Sequence, residues 1–222
     1  MATKTFAQLK SESDNRNLVR KTLQAVCFLA PTSAALPDAL TDTSGALQEL
    51  PKDYWPVGLV TPDGYAFAAD TTKEDVDALG YSQPVRSDIT KVAKSIEVTV
   101  LETLKKNVQG LIRGMDMSSV KAGTNGEVTF DEPGMPTFTE YRMIVISQDG
   151  PADSEWLVGR GYPLVKLSEI PEEVWNSSDA TQCKLKFDVF PDPKLGTSCR
   201  HYIAGTGAVK YKDALGYTQP AA

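Results

Sequence analysis

The chain has 222 residues, 41% of them hydrophobic, and carries 23 lysines and arginines against 29 aspartates and glutamates, a net charge of −6. That is enough apolar material for one domain with a real core, and the acidic balance excludes a tight binder of duplex nucleic acid, which needs a basic face. Cys27, Cys183 and Cys199 form an odd, sparse set that is no disulfide framework and fits assembly in a reducing cytoplasm.

Residues 1–21 are polar and mixed in charge, with no apolar stretch ahead of a cleavage site. They read as a flexible N-terminal arm, disordered or ordered only on a partner. Thr22 to Ala30 is apolar and reads as a first strand, followed by a long loop over 31–53 rich in Ala, Ser, Thr, Pro and Asp. Val57–Thr61 and Tyr65–Ala69 flank Pro62-Asp63-Gly64, which predicts a hairpin. Thr72 with Asp75 three residues on resembles a capping box, and Val76, Leu79 and Gly80 complete the pattern of a short helix.

Ser95 to Leu101 alternates: Ile96, Val98 and Val100 face one way, Glu97 and Thr99 the other. The period then changes. Leu104, Val108, Leu111, Ile112 and Met115 make one helical stripe, so the main helix is placed at 103–114, ending at Gly114 with Arg113 against its dipole. The second half reads as strands at Glu127–Phe130, Thr137–Ser147, Glu155–Leu167 and Gln182–Phe190, with a last pair at Arg200–Ala204 and Ala208–Tyr211. No run approaches the roughly 18 apolar residues of a membrane helix. The sum is a mainly β (α+β) domain over 22–204, a sandwich or partly closed barrel with one flanking helix, and a C-terminal extension at 205–222.

Asp77-Ala78-Leu79-Gly80-Tyr81-Ser82-Gln83-Pro84 recurs as Asp213-Ala214-Leu215-Gly216-Tyr217-Thr218-Gln219-Pro220, identical at seven of eight positions. It is too short for a solenoid repeat. Two readings stand: a reused helix-to-strand connector, or a C-terminal copy that packs in a neighbouring subunit where the internal copy packs.

Chemistry leaves little trace. His201 is the only histidine, and a Ser-His or Cys-His enzyme has to use it; Cys199 lies two residues away, without a nucleophile elbow around it. Asp131-Glu132 and Glu172-Glu173 lack a calcium-loop pattern. Gly205-Thr206-Gly207 is a lone short glycine motif, and Asn176-Ser177-Ser178 a formal sequon. No catalytic, cofactor-binding or metal-ligating residue is assigned, and no cofactor is expected.

One succession of motifs is more specific. Ala30-Pro31, Trp55-Pro56-Val57-Gly58-Leu59-Val60, Asp63-Gly64, Val85-Arg86 and Leu101-Glu102-Thr103 follow one another across residues 22–115. Their order and spacing resemble the major tail tube proteins of long-tailed, non-contractile bacteriophages (siphophages). Leu79-Gly80-Tyr81 departs from the Trp-Gly-like pair that members often carry before Val-Arg, and the 31–53 loop is longer than in compact members.

The resemblance implies a β-sandwich with a helix on its flank, six copies closing a ring through their sheet edges, and rings stacking into a tube. The partners implied are other copies of the chain, a tape-measure protein, and tail terminator and baseplate proteins. Double-stranded DNA would pass through the lumen without specific binding, with no membrane involved. The location would be the virion tail, assembled in the host cytoplasm. Trp55, Gly58, Asp63, Gly64, Arg86 and Glu102 would be structural residues, Trp55 packed on the sandwich and Arg86 paired with Glu102 across adjacent strands. The alternative is a β-rich virion decoration or surface-binding module.

Overall fold

Alternation decides most of the strands. In the computed structural model, which describes residues 3–217, the chain is mainly β, with one antiparallel sheet of nine strands and three short helices. The elements are α1 (Phe6–Ser13), β1 (Gln24–Pro31), β2 (Trp55–Pro56), β3 (Val60–Val76), β4 (Arg86–Val100), α2 (Lys106–Arg113), β5 (Glu140–Asp149), β6 (Trp156–Leu167), β7 (Glu173–Val174), β8 (Gln182–Phe190), β9 (Arg200–Ala204) and α3 (Thr206–Lys210).

The sheet runs β2-β1-β5-β6-β8-β4-β3. β6 serves two neighbours on one side: Leu157–Gly161 pairs with β9, and Leu164–Leu167 with β8. β7 adds two residues beside β8. The sheet does not lie flat. β3 and β6 are three strands apart in the order, which at ~4.8 Å per strand is about 14 Å on a flat sheet. Yet Phe67 of β3 stacks on Tyr162 of β6 with ring centroids 6.2 Å apart, and the Arg160 guanidinium sits 4.1 Å from the Phe67 ring. The sheet therefore curls until its apolar faces meet.

What they enclose is one cluster: Cys27 and Leu29 of β1, Ile96, Val98 and Val100 of β4, Met143 and Val145 of β5, and Leu185 and Phe187 of β8, among others. α2 contributes Val108, Leu111 and Ile112 to this cluster. Gly114 ends α2 in the left-handed region (φ 55°), its N–H returning to Gly110 and Leu111. The helix begins later than the stripe predicts, so Leu104 lies before it and is 90% exposed.

Several expectations are corrected. Pro62-Asp63-Gly64 does not turn the chain. It forms a bulge inside β3, where Val60 pairs with Val100 and the next pair is Tyr65 with Val98. Thr72–Val76 is strand rather than helix, because each of these residues has a partner on β4 that a local cap cannot match. Glu127–Phe130 is irregular, and Ala208–Tyr211 lies on and just after α3 instead of forming a strand. The N-terminal arm, expected to be disordered, holds α1, started by a capping box between Thr5 and Gln8 and burying no residue.

The 31–53 loop, long as expected, is fixed by its own chain. Ala34, Leu36 and Leu40 are buried with Tyr54, Ile144, Ile146, Leu157 and Tyr202 in a second cluster. Four side chains hold its carbonyls. Arg142 Nε donates to Thr32 (3.1 Å), Tyr54 OH to Ala35 (3.1 Å), Tyr202 OH to Pro37 (2.6 Å) and Arg200 Nη1 to Pro37 (3.0 Å). The strand beneath must be bare for this. A Cβ on Gly159 would lie 2.7 Å from Leu40 Cδ1, and one on Gly161 3.0 Å from Leu36 Cδ1.

Candidate functional site

Three of the six motif residues meet where the chain passes from β2 into β3. Gly58 has φ 106°, and a Cβ there would stand 2.7 Å from the Glu102 carboxyl carbon. The freed space lets Glu102 Oε1 accept from the Leu59 N–H at 2.7 Å, while Oε2 pairs with Lys105 Nζ at 2.6 Å. Lys105 first, and then the Leu59 amide, hold the Glu102 carboxyl below its ordinary value. Val57 N–H donates to the Cys27 carbonyl and Leu101 N–H to that of Leu59, both at 2.9 Å. The joint thus ties β1 to the end of β4. Trp55 packs edge-on against Tyr141, with centroids 6.2 Å apart, beside the main core.

The other three stand elsewhere. Asp63, exposed, and Gly64, half-buried, occupy the bulge of β3, and a Cβ on Gly64 would meet nothing within 4 Å. Arg86 opens β4 and pairs with Asp88 at 2.6 Å. It does not meet Glu102. Arg86 begins β4 and Glu102 comes two residues after its end, so the whole strand separates them and the expected cross-strand pair is corrected.

The feature sequence reasoning missed is the distal part of β3 and β4. β8 accompanies β4 only from Lys94 to Val100. Beyond Lys94, β3 and β4 pair with each other alone, out to Val76 and Arg86. Eight further residues at ~3.3 Å give an arm of about 26 Å before the turn. Every residue from Ala68 to Ala93 except Ala78 is exposed. Val76, Leu79, Tyr81, Val85, Ile89 and Val92 are apolar members of that set. A register shift at Thr90 places Ile89 on the face of Val92, since their partners Lys73 and Thr71 are two apart on β3. A two-stranded ribbon is marginal in water by itself, and an exposed apolar face on one marks a contact surface. The available signal was the nine-residue turn Asp77–Val85, with Gly80 and Pro84, between two runs holding β-branched residues, masked by the apparent helix cap.

His201 is exposed on β9, and Cys199 Sγ lies 3.9 Å from the Arg200 carbonyl, to which it donates. Burial raises the Cys199 thiol above its ordinary value, the opposite of nucleophile activation. Among the described residues no group of three or more His, Cys, Asp or Glu side chains is placed to hold a metal, and no helix is long and apolar enough to cross a membrane. Neither the protein-family models nor the curated proteins contain a match to this sequence.

Proposed function

We propose that this chain is a structural virion protein of the tail tube type, which self-assembles into stacked, six-membered rings that form a conduit for phage DNA. The observation that carries the reading is the exposed β3–β4 arm, a mostly polar ribbon with Ile89 and Val92 on one face that its own subunit leaves uncovered. The motif succession over residues 22–115 supports it. So does the curled sheet flanked by α2, which is compatible with the sandwich the family implies. Free edges remain on β3 and β9, and edges are liabilities that a ring consumes. The net charge of −6 per subunit suits a wall that repels phosphate. Tape-measure, terminator and baseplate proteins are the further partners of this reading.

Negative-stain electron microscopy of the concentrated protein tests it. Rings or hollow stacked tubes are expected, and a variant with residues 70–93 replaced by a short turn is expected to remain dispersed. Dispersed wild-type subunits that bind phage capsids would instead establish the decoration-module alternative.

A further inference from the structure

The duplicated octapeptide is not explained by the fold. Its internal copy caps the β3–β4 arm, while the terminal copy follows α3, so no shared element requires the shared sequence. Thr218, Gln219 and Pro220 of the terminal copy lie outside the described residues. In the part that is described, two features recur. Gly80 (φ 89°) and Gly216 (φ 76°) turn the backbone the same way, and each precedes a tyrosine, Tyr81 or Tyr217, that is 73% exposed. Leu79 is fully exposed, while Leu215 is partly covered. The turn bonds differ, Tyr81 N–H to the Ala78 carbonyl in one copy and Gly216 N–H to Asp213 in the other, so what the copies share is the sequence, the left-handed glycine and the exposed tyrosine after it.

The same chain carries a groove of matching chemistry. A cavity of about 570 Å³ lies against α2, lined by Leu104, Met117, Val120, Val128 and Phe130, with Lys106 its single charged residue. Lys106 Nζ donates to the Ser118 and Val120 carbonyls (3.1 and 2.8 Å) rather than to a carboxylate. Its charge also reaches Asp116, whose carboxyl is held low first by Ser118. Each octapeptide opens with an aspartate, Asp77 or Asp213, ahead of its Leu-Gly-Tyr. An acid beside two apolar side chains therefore meets a cation beside an apolar trough.

We infer that the Leu79-Gly80-Tyr81 turn of one copy of this chain docks into the α2 groove of another copy, and that the terminal octapeptide is a second ligand for the same groove. The inference rests on the self-assembly proposed above, but its test does not need tubes. The probe is a fluorescent peptide spanning Val76–Val85, cyclised to hold the turn. It is titrated by anisotropy into full-length protein carrying Leu79→Ala and Tyr81→Ala, which removes the competing internal turn.

Saturable binding is expected. It should weaken roughly tenfold or more with Val128→Asp or Leu104→Asp in the protein, and vanish when the peptide carries the two alanines. Both protein positions are exposed, so these substitutions spare the core. An unlabelled Asp213–Pro220 peptide should compete. Absence of saturation at about 1 mM peptide overturns the inference, as does binding indifferent to both aspartates. Tubes in micrographs without peptide binding would leave the tube reading standing and remove this one; peptide binding without tubes would do the reverse.

Discussion

β4 passes through two environments, and the contrast explains much of the molecule. From Lys94 to Val100 it lies between β3 and β8, with Ile96, Val98 and Val100 sealed from solvent. From Arg86 to Ala93 it has β3 alone and every side chain is exposed. Backbone pairing continues across both halves; lateral cover does not. The inner half is held by the fold itself. The outer half keeps its strand conformation while offering Ile89 and Val92 to whatever covers them.

The largest effect expected from this contrast is in the core. Phe187 faces Ile96 across the β8–β4 pair and is 1% exposed, so Phe187→Ala should cost about 3–5 kcal/mol in urea unfolding. Ile89→Ala on the outer half should stay within about 0.5 kcal/mol of wild type. Equal losses at the two sites would break the contrast.

Glycines sharpen it at a smaller scale. Gly58→Ala meets both a left-handed backbone and the Glu102 carboxyl, and should cost roughly 1–3 kcal/mol. Gly64→Ala meets open space at φ 71° and should cost about 1 kcal/mol, from the backbone alone. Thermal unfolding of the two variants orders them; a Gly64 variant as unstable as the Gly58 one would show that the bulge is packed in solution.

The smallest effect is in pH. Glu97 is held below its ordinary value first by Lys184, as Glu102 is by Lys105. A carboxyl depressed on folding adds stability above its unfolded value and loses it as pH falls through the folded one. Stability should therefore decline as pH drops below about 4.3, the ordinary glutamate value. Glu97→Gln and Glu102→Gln should flatten that decline in acid denaturation, and replacing residues 70–93 should leave it unchanged. A profile altered by removing the arm would place the acid-sensitive groups on the arm instead.

The inner half was legible and the outer half was not, for one reason. Alternation records a covered face, so β1, inner β4, β8 and the buried turns of α2 could be read from Cys27, Ile96, Cys183, Leu185 and Val108. Where cover is absent the sequence turns polar, and Thr72 with Asp75 then imitates a helix cap. Pro62-Asp63-Gly64 misled similarly, since the same residues serve a tight turn and a bulge. The joint at Gly58 and Glu102 was named only by resemblance, because a left-handed glycine over a carboxylate has no local periodicity. The loop over β6 was hidden because carbonyl acceptors carry no residue identity. Its one trace is the Gly159–Gly161 spacing, which bares one face of a strand.

The continuity of β4 also has a mechanical meaning. The strand that forms the tip runs without interruption into the body, where seven pairs, Lys94–Val189 through Val100–Cys183, flank it. A pull outward along the arm loads those pairs side by side, in shear, so they resist together rather than peeling one after another. The arm is anchored as a tension member, and traction on its tip is delivered directly to β8, inside the sheet.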